Sequence, residues 1–296
     1  MTEKITFHAN SAGAFDGPLA STAWLAASLG EPDLRIYDAS LYLPTEAVNA
    51  HQRYCTAYIP GARFFDIDRI ADTQSPLPHM APGAQEFAGL VAALDLGSDH
   101  RVVFYDQRGI YSAARGWWLL RLFGHTRVAV LDGGLPKWLR EGRPLESDAG
   151  PAPAVEPQPF IPRPRPELLR GCDAVRTNLV TGSERLLDAR SAGRFRGEAP
   201  EPRPGLRGGH IPGSANLPFA ELLDTDGTLL SPAELRRRLA AAGVHRGTKV
   251  IASCGSGATA TVILLALAAA GYRDGALYDG SWAEWGGRSD TPVATG

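Results

Sequence analysis

Four segments of the first half of the chain return in the same order in the second half, and this internal repeat limits the fold more than any other feature. Leu34-Arg-Ile-Tyr-Asp38-Ala-Ser recurs as Arg185-Leu-Leu-Asp188-Ala-Arg, and Tyr58-Ile-Pro-Gly61-Ala as His210-Ile-Pro-Gly213-Ser-Ala. Arg101-Val-Val-Phe-Tyr-Asp106 recurs as Lys249-Val-Ile-Ala-Ser-Cys254, and Leu131-Asp-Gly-Gly134 with Trp138 as Tyr278-Asp-Gly-Ser281 with Trp285. The offsets are 150, 152, 148 and 147 residues, too long for a solenoid unit, so the repeat reads as a duplicated domain. Eight prolines between Pro144 and Pro166 mark the seam. Proline lacks an N–H and fixes φ, so this run resists helix and central strand and reads as a stiff, extended connector. The expected organisation is a first domain over 1–145, a linker over 146–168 and a second domain over 169–296.

Within each half, short apolar runs such as Arg101 to Tyr105 and Lys249 to Ala252 alternate with helical stretches, Ser112 to Phe123 and Ala258 to Ala270. Gly124 and Gly271 stand where these helices should stop. The alternation predicts α/β domains, each a mostly parallel sheet with helices on both faces. Ligands of such sheets sit at the carboxyl ends of strands, which is where Asp106 and Cys254 fall.

The 296 residues are 44% hydrophobic and 21% charged with a net charge of −2, so no global field favours nucleic acid or an anionic membrane. The apolar stretch from Thr259 to Gly271 is short of the ~20 residues a membrane span needs and reads as a buried helix. The first residues lack a basic region followed by an apolar run, which argues against a secretory signal. Cys55, Cys172 and Cys254 are far apart and have no metal-ligand spacing, so neither a metal site nor a disulfide framework is expected, and no organic cofactor is implied. A reducing compartment, the cytoplasm, is the expected location.

Cys254-Gly-Ser-Gly-Ala-Thr259 joins a strand to a helix. A free thiol has a pKa of about 8.5, and the amides at a helix N-terminus favour the thiolate. Gly255 and Gly257 lack Cβ atoms, so the backbone can curl several N–H groups inward around a thiolate, a persulfide or a small oxyanion. A cysteine beside a tight turn also suits a buried core. The repeat favours chemistry, because Asp106 at the matching position shows that the fold does not demand cysteine there. Cysteine-dependent phosphatases need an arginine six residues after the nucleophile, and here that residue is Ala260.

These features together resemble the tandem rhodanese family of sulfurtransferases. The resemblance rests on the paired domains, Ile59-Pro-Gly61, His210-Ile-Pro-Gly213, Asp132-Gly-Gly134 and Asp279-Gly-Ser281, and covers nearly the whole chain. It implies an inactive N-terminal domain with Asp106 at the cysteine position and a catalytic C-terminal domain with Cys254 as nucleophile. Family members with Cys-Gly-Ser-Gly-Val-Thr use 3-mercaptopyruvate, and this chain departs from that loop at Ala258. The implied reaction moves sulfur from a small anionic donor, through a Cys254 persulfide, to a thiol such as thioredoxin, or to cyanide. The backbone of Gly255, Gly257, Ala258 and Thr259 would line the donor's sulfur. The resemblance also assigns Arg194 and Arg203 to the donor's carboxylate and carbonyl, where composition alone fits a solvated loop paired with Glu198 and Glu201. It further implies a relay from Asp68 through His79 to Ser256, with an interdomain polar network as the alternative. Tyr111 is a further candidate for the cleft. Arg190, Arg196 and Arg207 read as structural or surface residues, Cys55 and Cys172 as packing or surface residues, and the tryptophans as core. Thiosulfate as donor, and a non-catalytic binding module, are the competing readings.

Overall fold

The computed structural model describes residues 15, 17–148, 157–272 and 275–296. The stretch read for a targeting signal, and residues 149–156 of the proline-rich linker, lie outside the described residues. The first half forms a five-stranded sheet from β1 (Leu19–Ala20), β2 (Leu34–Asp38), β3 (Arg63–Phe64), β4 (Arg101–Tyr105) and β5 (Val128–Leu131), in the order β1-β5-β4-β2-β3. The second half repeats it with β6 (Leu169–Arg170), β7 (Arg185–Asp188), β8 (Ala215–Asn216), β9 (Val250–Ser253) and β10 (Ala276–Tyr278), in the order β6-β10-β9-β7-β8. All pairings are parallel. The predicted α/β class and the duplicated parallel sheets are therefore present. β4 and β9 are the middle strands and are buried at every residue, which explains their unbroken apolar runs.

Asp106 and Cys254 each follow the middle strand, so each loop opens at the carboxyl edge of its sheet. The helices after them, Ala113–Leu122 and Ala260–Ala269, pack against each other across the domain interface. The second is apolar on every face, and Ala260 through Leu267 are buried, as expected of a helix enclosed on all sides. Both helices are a residue or two shorter at each end than the sequence pattern suggests, because the first turn is taken up by the loop. Gly124 (φ +84°) and Gly271 (φ +77°) end them in left-handed conformations, as expected. The described end of the proline-rich segment is no free spacer. Arg163 and Arg165 donate backbone hydrogen bonds to Phe123 and Leu122, and Phe160 is buried against Phe87.

The interface carries an approximate twofold relation. A turn closed by Asp72 N–H to Met80 O leans from the first domain onto the second, and one closed by Asp224 N–H to Thr228 O leans the other way. Ala81 N–H donates to Asp279 Oδ2 at 2.7 Å, and Leu229 N–H donates to Asp132 Oδ1 at 2.8 Å. Each Asp-Gly motif after the fifth strand thus captures a backbone amide of the opposite domain. This is why each loop at a middle strand is roofed by a turn from the other domain.

Candidate active site

Cys254 follows the last residue of β9 with 2% of its surface exposed. Its N–H donates to Ser281 Oγ at 3.1 Å, and its carbonyl accepts from Trp282 N–H at 3.0 Å. The loop beyond it turns at Gly257 (φ +76°), where a Cβ would lie 2.8 Å from the Asp279 carbonyl oxygen. Glycine is required there on both counts. A Cβ at Gly255 would lie 3.0 Å from an Arg194 nitrogen, so that glycine lets the guanidinium rest on the loop. Among the described residues, the N–H groups of Gly255, Ser256, Gly257, Ala258, Thr259 and Ala260 meet no protein acceptor. Buried amides are rarely left this way, and a run of six marks a place for an anion.

The first domain shows what such a loop does when it is filled. Asp106, fully buried, turns its carboxylate back onto its own loop. Oδ1 accepts from Arg108 N–H at 2.9 Å, and Oδ2 accepts from the N–H groups of Tyr111, Ser112 and Ala113 at 2.8, 2.9 and 2.9 Å. Gly109 (φ +111°) makes the turn that Gly257 makes in the second domain. Asp106→Ala should leave four amides without an acceptor and destabilise the protein by roughly 2–4 kcal/mol in denaturant titrations. A change below about 0.5 kcal/mol would show that the carboxylate does not hold the loop.

The two expected arginines reach this loop in different electrostatic states. Arg194, on the Ala192–Arg196 helix, is paired with Glu201 at 2.5 Å, and the nearly buried Glu201 side chain also takes Arg190 at 2.7 Å. Arg203 makes no hydrogen bond or salt bridge among the described residues. Burial pushes its guanidinium down from its ordinary value, against the charges of Cys254 and Asp68, while Arg194 pushes the same way as burial. Arg203 is thus a partly buried cation without a direct ion-pair partner among the described residues, within electrostatic reach of the thiol and of Asp68. Tyr111 is there too, its phenol raised by burial foremost, with Cys254 adding and Arg108 opposing.

His79 and Asp68 come together as expected, with Nε2 and Oδ1 3.1 Å apart. The hydrogen bond from His79 holds the Asp68 carboxyl below the usual carboxylate range against desolvation. The third link differs from the expected one. His79 Nδ1 lies 3.3 Å from the backbone carbonyl oxygen of Ser256, and the Ser256 hydroxyl makes no hydrogen bond among the described residues. Both ring nitrogens thus face oxygen acceptors. His79 also has φ +62°, where the matching turn of the other domain has Gly227 (φ +81°), and such strain in a non-glycine residue favours a role at the site.

Sequence reasoning missed Arg115, Asp279 as an interdomain acceptor, and the Ser281 hydroxyl under the cysteine. Arg115, fully buried on the Ala113–Leu122 helix, donates to Asp279 Oδ1 at 2.6 Å, to Gly257 O at 3.3 Å and to the His79 carbonyl. Its only sequence signal is a charge inside an otherwise apolar helix face. Arg190 is buried on Asp188, Arg207 holds the carbonyls of Trp285, Gly286 and Thr291, and Arg196 pairs with Glu198 at the surface. Cys172 packs in the core and Cys55 is half-buried on a distant helix. Trp117, Trp118, Trp138, Trp282 and Trp285 are core residues. No cluster of metal-ligating side chains occurs among the described residues.

The comparisons with known proteins agree with this geometry. The model of the Rhodanese-like domain matches residues 21–141 and again residues 172–288. The chain is 42% identical over 294 residues to the mitochondrial thiosulfate/3-mercaptopyruvate sulfurtransferase 1 of Arabidopsis thaliana, covering 93% of this chain and 78% of that one. It is 42% identical over 274 residues to the 3-mercaptopyruvate sulfurtransferase of Homo sapiens, covering 90% and 91%. The crystal structure of SseA from Escherichia coli, described as a 3-mercaptopyruvate sulfotransferase, superposes with a TM-score of 0.81 at 37% identity over 90% of this chain and 99% of that one. Two matching domains, the duplicated parallel sheets and full-length relatives lead to one conclusion: the chain belongs to the rhodanese-like family, as a tandem, two-domain member.

Proposed function

We propose that the protein is a 3-mercaptopyruvate sulfurtransferase that works by double displacement at Cys254. The Cys254 thiolate attacks the donor's sulfur. An S–S bond forms as the C–S bond breaks, and its electron pair passes to the enolate of pyruvate, which takes a proton and leaves. An acceptor thiolate then attacks the outer sulfur and carries it away, and the electron pair of the S–S bond returns to Cys254. Arg203 meets the donor's carboxylate, with Arg194 beside it over Gly255, and the pair Asp68–His79 lies at the edge of the loop, where it can supply the proton.

The observation that carries this reading is the Asp106 carboxylate in the first domain. Its carboxylate oxygen stands one bond beyond Cβ–Cγ, as the outer sulfur of a cysteine persulfide stands beyond Cβ–Sγ. Three of the amides it holds, those of Arg108, Tyr111 and Ser112, have counterparts around Cys254, at Ser256, Thr259 and Ala260, with no protein acceptor. The same arrangement supports anion stabilisation by fixed backbone dipoles in a water-poor site.

Electrostatics favour a monoanionic donor. Asp188 and Glu201 together compensate Arg190 and Arg194, which leaves Arg203, with Asp68 acting on it through space, as the cation of this group without a hydrogen-bonded or ion-paired carboxylate among the described residues. One carboxylate balances it, whereas the dianion thiosulfate would bring a second, unmatched charge beside the thiolate. Thiosulfate remains a secondary donor on the names of relatives such as the Arabidopsis enzyme. A reduced thioredoxin-type thiol as acceptor, and the cytoplasm as location, belong to the same proposal. Measuring kcat/KM with each donor tests it: a clear preference for 3-mercaptopyruvate is expected, and a preference for thiosulfate would overturn the donor assignment.

A further inference from the structure

We propose that Arg115 is a positioning residue for sulfur transfer, reaching from the inactive domain to fix both the Cys254 loop and His79. The inference rests on the sulfurtransferase reading and deepens it.

The approximate twofold interface supplies an internal control. Asp279 and Asp132 occupy matching positions, and each accepts a backbone amide from the opposite domain, from Ala81 and Leu229 respectively. If only docking mattered, both sides could be built alike. They are not. On the Cys254 side Asp279 also takes the guanidinium of Arg115, whereas Asp132 makes no salt bridge among the described residues, and burial pushes its carboxyl up from the usual range. The residue matching Arg115 in the second domain, at the offset of the loop, is the buried Ile263. Among the described residues, the cation on the Cys254 side is fully buried and paired with the Asp-Gly motif, whereas the one that crosses on the other side, Arg140 to the Asp226 carbonyl, is exposed and does not pair with Asp132.

What Arg115 touches explains the placement. One guanidinium nitrogen donates to Asp279 Oδ1 and to the carbonyl of Gly257, the turning residue of the sulfur loop. The other donates to the carbonyl of His79, the residue in left-handed conformation whose ring meets the Ser256 carbonyl and Asp68. The guanidinium carbon lies 4.5 Å from the Trp118 ring centroid, and Nε has no hydrogen-bond partner, so packing sets its orientation on that side. A planar fork with fixed donors can hold three oxygens in one relation, and a lysine cannot reproduce it. Holding the Gly257 carbonyl keeps the neighbouring amides turned toward the cysteine. Holding the His79 carbonyl keeps the imidazole at the loop.

The test compares Arg115→Met, Arg115→Lys, Asp279→Asn and the double variant Arg115→Met/Asp279→Asn. Rates are taken per folded active site, well below each variant's unfolding temperature. At saturating 3-mercaptopyruvate, Arg115→Met should slow persulfide formation in single turnover by about 100-fold while the donor's KM moves less than about threefold, as expected of misplacement and not of lost binding. Arg115→Lys should recover part of that loss, and the double variant should be no slower than Arg115→Met. Alkylation of Cys254 by iodoacetamide, which requires no donor, should also slow by about tenfold in Arg115→Met. Should Arg115→Met fail to fold, the same two rates on Arg115→Lys decide the matter. Wild-type rates in the folded variants, for both persulfide formation and alkylation, would reduce Arg115 to a stability element and overturn the proposal. Failure of the wild-type protein to take sulfur from 3-mercaptopyruvate would sink the broader reading instead, and the alkylation result would still stand.

Discussion

Cys254→Ser abolishes sulfur transfer, with kcat falling at least about 10⁴-fold while the protein stays folded. The substitution changes one buried atom just beyond β9, so the packing of the strand and of the Ala260–Ala269 helix is kept. A serine hydroxyl is far less acidic than a thiol, and oxygen cannot carry the outer sulfur as a persulfide does. The amides of Gly255 through Ala260 are then left with no anion to hold. Cys55→Ser and Cys172→Ser should keep kcat within about twofold per folded molecule, because neither residue adjoins the loop. Steady-state assays with 3-mercaptopyruvate and a dithiol acceptor check all three. Near-normal turnover by Cys254→Ser would remove the basis of the mechanism.

Arg203→Ala gives the second large effect: kcat/KM for 3-mercaptopyruvate falls by about 10²–10³, or about 3–4 kcal/mol of transition-state binding, and thiosulfate turnover falls less. The reason is the state of the guanidinium before the donor arrives. It is partly buried and has no hydrogen-bonded or ion-paired carboxylate among the described residues, so the donor's carboxylate relieves an existing cost as well as making new bonds. Arg194→Ala should cost less, because Arg194 already spends its charge on Glu201. Equal losses for the two donors in Arg203→Ala would mean that the residue serves general attraction of anions and does not recognise a carboxylate.

Much of the architecture could be read from the chain because duplication writes each structural rule twice. The apolar runs ending at Asp106 and Cys254 became middle strands, and Asp132-Gly-Gly134 and Asp279-Gly-Ser281 became equivalent interdomain acceptors. The placement of Cys254, Arg194 and Arg203 around one loop was also legible, since a strand-to-helix turn and an arginine-rich neighbouring segment are local signals. Contacts formed across the interface were not. Nothing local to Arg115 says that it faces Gly257, a residue 142 positions away. The relay illustrates a finer limit. The sequence pairs a histidine with a serine, but backbone direction, not residue type, decides whether the imidazole meets the hydroxyl or the carbonyl of Ser256, and here it meets the carbonyl.

The central claim is that fixed amides around Cys254 accommodate a second, negatively charged sulfur. Intact mass and peptide mapping after incubation with 3-mercaptopyruvate, without acceptor, address it directly. The account predicts one added sulfur on the Cys254 peptide, one equivalent of pyruvate released, and loss of the added mass when a thiol is supplied. Pyruvate release with no sulfur on Cys254, or sulfur carried by Cys55 or Cys172 instead, would contradict it.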